Sequence, residues 1–187
     1  MRSRQYDANG RIPGRPLALE TWSGLAVEPL NLCAEDIEVL DIAKALSQIC
    51  RYGGHTGGHL SVARHSLWVA DTVAGWGYGI EVQLHALLHD AAEAYLGDIV
   101  APLKHSGQLQ AYLDGEAKAE QAIASAFGLK LPRPDVIKVA DRHVLLVLEQ
   151  DCGKGYRWTW DTSAVIDRKQ WLSRFYKLML DRSQLEE

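Results

Sequence analysis

Leu87-Leu88-His89-Asp90-Ala91-Ala92-Glu93 is the stretch that decides how this chain is read. It sets a histidine, an aspartate and a glutamate in an apolar run. A buried ionisable group costs free energy unless it is paired or bound to a metal. Taken as part of one helix over about 81–96, the run puts residues four apart on a common face. His85, His89 and Glu93 then fall on one line, with Asp90 beside it. The plain alternative is a pair of capped helices with satisfied polar residues. Several such groups on one helix favour a metal site.

The same periodicity extends outward in both directions. Ile37, Leu40, Ala45, Leu46 and Ile49 recur at helical steps from Glu35 until Gly53-Gly54. Ser61 is placed to cap a helix reaching about Ala74, with His65 inside it. Further helices are expected over about 108–127, ended by Gly128, over about 135–150 with Asp141 inside, and over about 165–181. Residues 1–33, rich in Pro and Gly, read as an irregular arm bordering the body. Tyr156, Trp158 and Trp160 alternate and suggest a short aromatic hairpin or loop near 154–163. The expected architecture is a single all-α bundle spanning residues 1–187.

Composition narrows the function classes. The chain has 187 residues, 47% of them apolar, enough for a substantial core. No apolar run is long enough for a membrane span, and the charged start Met1-Arg2-Ser3-Arg4 has no apolar segment behind it, so no secretory signal is expected. Cys33, Cys50 and Cys152 are too scattered for a disulfide framework and read as reduced thiols of a cytoplasmic protein. A net charge of −4 argues against a broad face for polymeric nucleic acid, but not against a small phosphorylated ligand beside a cation.

His65 and Asp141 lie on different expected helices from His89-Asp90, so the four meet only in the folded bundle. Facing helices build metal sites in bundle cores in this way. Asp141 alone reads equally well as a salt-bridge partner of Arg142. Its weight comes from the other three.

The segments Ser61-Val62-Ala63-Arg64-His65-Ser66, His89-Asp90-Ala91-Ala92-Glu93-Ala94-Tyr95-Leu96-Gly97-Asp98-Ile99 and Ala140-Asp141 together resemble the HD-domain metal-dependent phosphohydrolase superfamily. Within it the likeness runs to small bacterial and phage 5′-deoxynucleotidases, and to phage deoxynucleoside triphosphate hydrolases acting on dATP. It covers about residues 20–150.

The resemblance implies that His65, His89, Asp90 and Asp141 ligate one divalent ion (Mn, Co, Zn or Mg). It implies that Glu93 orients or deprotonates the attacking water. Arg51 falls near a phosphate-contacting arginine of the nucleotidases, although the dipole at a helix C-terminus favours an arginine there anyway. Lys104 matches a lysine facing the phosphates in the triphosphate hydrolases; a solvated lysine is the other reading. Asp98 matches an acid near the sugar, or is a turn aspartate. Trp22 is read as stacking on the base, against simple packing on the body. His55 in the glycine-rich loop, and His85 one turn before His89, are carried as phosphate contacts beside plainer polar roles. Gly24 is followed by Leu25 where that branch often has arginine, so an N-terminal phosphate contact does not transfer.

The expected function is phosphate release from 2′-deoxynucleoside 5′-monophosphates by a homo-oligomer. A deoxynucleoside triphosphate hydrolase is the alternative. A degenerate, nucleotide-binding domain is the non-enzymatic one. A two-iron oxygenase would need His59 and His85 as further ligands.

Overall fold

The computed structural model describes residues 17–149 and 163–185, with Ile12 and Gly14 ahead of them. The fold is all-α. A small antiparallel sheet of β1 (Leu19–Glu20) and β2 (Ala26–Val27) comes first, followed by short 3-10 turns at Pro29–Asn31 and Ala34–Asp36. The helices are α1 (Val39–Gln48), α2 (Val62–Gly75), α3 (Ile80–Leu87), α4 (Glu93–Leu96), α5 (Ala101–Lys104), α6 (Gln110–Phe127), α7 (Val136–Val147) and α8 (Ala164–Ser183). The aromatic arm expected near 154–163 lies outside the described residues except for Ser163, which caps α8. Among the described residues, no helix is long and apolar enough to cross a membrane.

Helix α2 is the centre of the bundle, packing against α1, α3, α7 and α8. Its Val62, Ala63, Val69, Ala70 and Val73 are wholly buried. Full burial of a Val or Leu side chain stabilises by about 1.5–3 kcal/mol over exposure. The α2 side chains meet Ile42 and Leu46 of α1, Leu84 and Leu87 of α3, Ile137 and Val144 of α7, and Trp171 and Phe175 of α8 in one apolar cluster. The helix begins where Ser61 Oγ accepts the Arg64 amide at 3.0 Å. Its first turn therefore carries His65 at a fixed height in the core. On the far side α6 lies against the Pro29–Asn31 turn. The closeness there requires Gly115, since a Cβ at that position would sit 2.6 Å from Leu30 Cδ2. Gly128, in the left-handed region with φ 64°, ends α6 as the sequence suggests.

Three local features depart from the sequence reading. The first expected helix is shorter: Ala34–Asp36 and Arg51–Gly54 at its two ends are 3-10 turns. The N-terminal arm contains a two-stranded hairpin rather than loop alone. Most consequential, the helix expected over 81–96 is broken at residues 88–92. After Leu88 the amides of Ala91, Glu93 and Ala94 bond three residues back instead of four. Side chains take the carbonyls concerned: His89 Nδ1 reaches Ala86 O at 2.7 Å, and Arg133 Nη2 reaches His89 O at 2.8 Å. Such bonds compete with the helical ladder.

Candidate metal centre

That break re-aims the residues around it. His89 and Asp90 sit on a turn between α3 and α4, not on a helix face shared with His85. The turn points His89 at His65 on α2, with the two Nε2 atoms 3.2 Å apart. Asp90 Oδ2 lies 3.1 Å from His89 Nε2 and 3.5 Å from His65 Nε2. Asp141, on α7, brings its Oδ1 to 3.1 Å from His65 Nε2. Ligand atoms of His65, His89 and Asp141 all lie within 4.8 Å of one another. Both histidines are buried, whereas the Asp141 side chain is 45% exposed, so the cluster opens to solvent on the α7 side.

This donor set could hold a cation. His65 Nδ1 faces Glu149 Oε1 at 2.7 Å and His89 Nδ1 faces the Ala86 carbonyl. Both partners can only accept, so both Nδ1 atoms carry their protons. A neutral imidazole has one N–H, which leaves a bare lone pair on each Nε2. Two lone pairs and two carboxylates thus converge with no donor between them. Without a metal the cluster holds extra protons instead. Burial opposes charge on His65, but hydrogen bonds with Asp141 and Glu149 outweigh it and lift its pKa to about 9. Burial would raise Asp90, yet the charge and hydrogen bond of His89 pull it well below the usual carboxylate range. A divalent ion suits nitrogen and oxygen donors of this kind. Two ligands about 2.1 Å from one ion at roughly right angles lie about 3 Å apart, close to the separations seen.

Around the four stands a ring of charged groups. Arg51 Nη1 is 3.7 Å from Asp90, and its Nε donates to Glu149 Oε2 at 3.2 Å. Tyr52 donates its hydroxyl to the same oxygen at 2.6 Å. Glu149 was not foreseen from sequence. Its side chain is fully buried, and its pKa is lowered: burial works against the charge, but His65, Arg51 and Tyr52 outweigh it.

Glu93 opens α4. It is buried, and its Oε2 has no hydrogen-bond partner among the described residues. Burial first, then the negative charges of Asp90 and Asp98, push its pKa up to about 9. Lys104 Nζ is 3.6 Å from Glu93 Oε1 and 2.8 Å from Glu116 Oε1, so α5 and α6 brace it from behind. Asp98 is half-buried, its pKa raised by burial, with the charges of Arg51, Asp90 and Lys104 acting on it.

The structure therefore gathers His65, His89, Asp90, Asp141, Glu93, Arg51, Lys104 and Asp98 into one neighbourhood. The other sequence candidates make different contacts. His85 faces a small cavity lined by Leu88, Ala92, Glu120 and Arg133, because the broken helix removes the shared face that would have aimed it beside His89. His55 is exposed on its loop. His59 is set between Cys50 Sγ and the Ser47 carbonyl, each at 3.0 Å, so neither it nor His85 completes a two-metal ligand set. Trp22, on the β1–β2 turn, is half exposed and lies under the Arg168 guanidinium, 5.8 Å from its ring centre. It borders a separate cavity with Asp41, Lys44 and Tyr95.

No family model matches the chain. It is similar to "Uncharacterized protein RCAP_rcc00048" of Rhodobacter capsulatus, 38% identical over 122 residues that make up 63% of this chain and 62% of that protein. It is also similar to "Uncharacterized protein YfdR" of Escherichia coli (strain K12), 36% identical over 135 residues, 72% of each chain. Likeness over that much of both lengths makes this chain a member of the family that contains YfdR.

Proposed function

We propose that the chain is a divalent-metal-dependent phosphohydrolase of the HD-domain type, acting on 2′-deoxynucleotide 5′-phosphates and releasing phosphate from the monophosphates. The observation that carries this reading is the donor-free meeting of His65 Nε2, His89 Nε2, Asp90 and Asp141, with a buried, unpartnered Glu93 oxygen in the same neighbourhood. His65, His89, Asp90 and Asp141 would hold the ion, which when bound supplies Lewis acidity and lowers the pKa of water. Glu93 Oε2 is the atom that takes the proton of the attacking water. In the protonated form favoured by burial Glu93 cannot do so; once a cation shares the charge of Asp90, less repulsion opposes loss of its proton. Lys104 holds Glu93 in place and offsets its charge. Arg51, fixed through Nε, keeps further guanidinium donors for a phosphate oxygen. Asp98 is assigned to the sugar. The protein is read as cytoplasmic, with Cys33 and Cys50 as thiols, and as a homo-oligomer.

The test is phosphate release from panels of deoxynucleoside mono- and triphosphates with Mn²⁺, Co²⁺ or Mg²⁺, repeated with Asp90→Ala. Metal-dependent inorganic phosphate from a monophosphate, lost in the variant, is the expected result. Tripolyphosphate as the product moves the assignment to a triphosphate hydrolase. No metal-dependent release from any panel member leaves a nucleotide-binding domain.

A further inference from the structure

We infer that Glu149 is a positioning residue whose single carboxylate fixes the tautomer of His65 and holds Arg51 off Asp90. The inference rests on reading His65 and Asp90 as metal ligands. Glu149 is 2% exposed and sits just past the C-terminus of α7, 84 residues along the chain from His65 and 98 from Arg51. Three donors converge on it: His65 Nδ1 on Oε1, and Arg51 Nε and the Tyr52 hydroxyl on Oε2.

Each contact has a consequence at the cluster. With an acceptor at Nδ1, the lone N–H of a neutral His65 stays there and the Nε2 lone pair faces His89, Asp90 and Asp141. With no acceptor, the proton can sit on Nε2, where it blocks a ligand position. Carboxylates hydrogen-bonded behind metal-binding histidines act in this way.

Arg51 supplies the second consequence. Its Nε–Glu149 contact at 3.2 Å is closer than its Nη1–Asp90 contact at 3.7 Å. If Glu149 loses its charge, the guanidinium already has Asp90 3.7 Å from Nη1 to turn to. A guanidinium drawn onto Asp90 competes for an oxygen the ion needs.

Tyr52 ties the turn into the same group. Its backbone lies in the left-handed region, φ 57° and ψ 29°, which a bulky side chain seldom adopts. The hydroxyl bond to Glu149 anchors that conformation and with it the neighbouring Arg51.

A merely structural carboxylate would affect stability and nothing else, so the test reads two other quantities on the full chain. In protein saturated with diamagnetic Zn²⁺, where His65 is neutral, ¹⁵N-labelled histidine should give a downfield ring resonance from the buried His65 Nδ1–H, assigned by its loss in His65→Asn. Glu149→Gln should move that resonance upfield and weaken Mn²⁺ binding by about 10–100-fold. The conservative Gln change carries the test even where Glu149→Ala does not fold. A Glu149→Gln protein with wild-type Mn²⁺ affinity and an unmoved resonance overturns the inference alone. A wild-type chain that binds no Mn²⁺ overturns the metal reading, and the inference with it.

Discussion

Two polar networks start from neighbouring residues of α2 and differ in one respect. Arg64 bonds Asp167 Oδ1 through Nε at 3.0 Å and Nη2 at 2.6 Å, while Ser61 donates to Oδ2 at 2.5 Å. There a cation meets a fully buried anion and donors meet acceptors. The set is complete in itself, and it joins α2 to α8. One residue on, His65 enters a set with acceptors in excess: two bare Nε2 atoms and two carboxylates. A balanced buried network has no vacancy for a ligand. An unbalanced one is stable only with something positive added.

This contrast is most directly broken at Asp90. Asp90→Ala should abolish metal-dependent phosphate release. It should also remove the rise in Tm that Mn²⁺ gives the wild type, because a ligand that binds only the folded state stabilises it. The metal-free variant should melt below metal-free wild type, since His89, His65 and Arg51 hold the Asp90 carboxylate ionised and its lowered pKa stabilises the fold at neutral pH. Calorimetry with and without Mn²⁺ reads both. A variant that keeps the full Mn²⁺-dependent rise in Tm would mean that Asp90 is a brace like Asp167 and not a ligand.

Glu93 sharpens the comparison within the site. Glu93→Gln keeps size and shape and removes only the capacity to accept a proton. We expect kcat to fall by about 10²–10⁴-fold, the range for loss of a general base, with Mn²⁺ affinity held near wild type. If metal affinity falls with kcat, Glu93 belongs with the ligands instead.

At Asp167 the loss should appear as stability. Asp167→Ala leaves the partly buried Arg64 guanidinium without its counter-charge, and the loss should approach, without exceeding it, the cost of about 3–5 kcal/mol for breaking a buried pair from one side. Urea unfolding of the metal-free protein measures it. At denaturant concentrations where the variant stays folded, Mn²⁺ affinity should be little changed.

Much of the unbalanced set was legible in the sequence, because His, Asp and Glu are scarce inside apolar runs and stand out at His89-Asp90 and Asp141. Ser61 and Gly128 were legible as helix ends because capping is local chemistry. The break at 88–92 was not. No Gly or Pro marks it, and one of its causes, Arg133 on the His89 carbonyl, comes from far along the chain. The break also bears on His85, since a helical period carried through it sets that residue in line with His89. Glu149 was hidden for a different reason. A glutamate after the run Val144–Leu148 reads as an exposed helix end, and only the tertiary contact with His65 gives it a role. The one available signal was an acid closing an apolar helix that already carries Asp141.

The smallest effect separates two serines that look alike in sequence. Ser61 caps α2 and Ser163 caps α8; each side chain accepts an amide three residues on, at 3.0 and 3.3 Å. Ser163 is exposed, so Ser163→Ala removes only a cap, worth about 0.5–2 kcal/mol. Ser61 is wholly buried, and its hydroxyl proton goes to Asp167. Ser61→Ala therefore loses the cap and also deprives a buried carboxylate oxygen of its donor, adding about 1–3 kcal/mol. The difference between the two variants in urea unfolding measures how far the Arg64 network depends on each of its donors. Equal losses would mean that Arg64 alone satisfies Asp167.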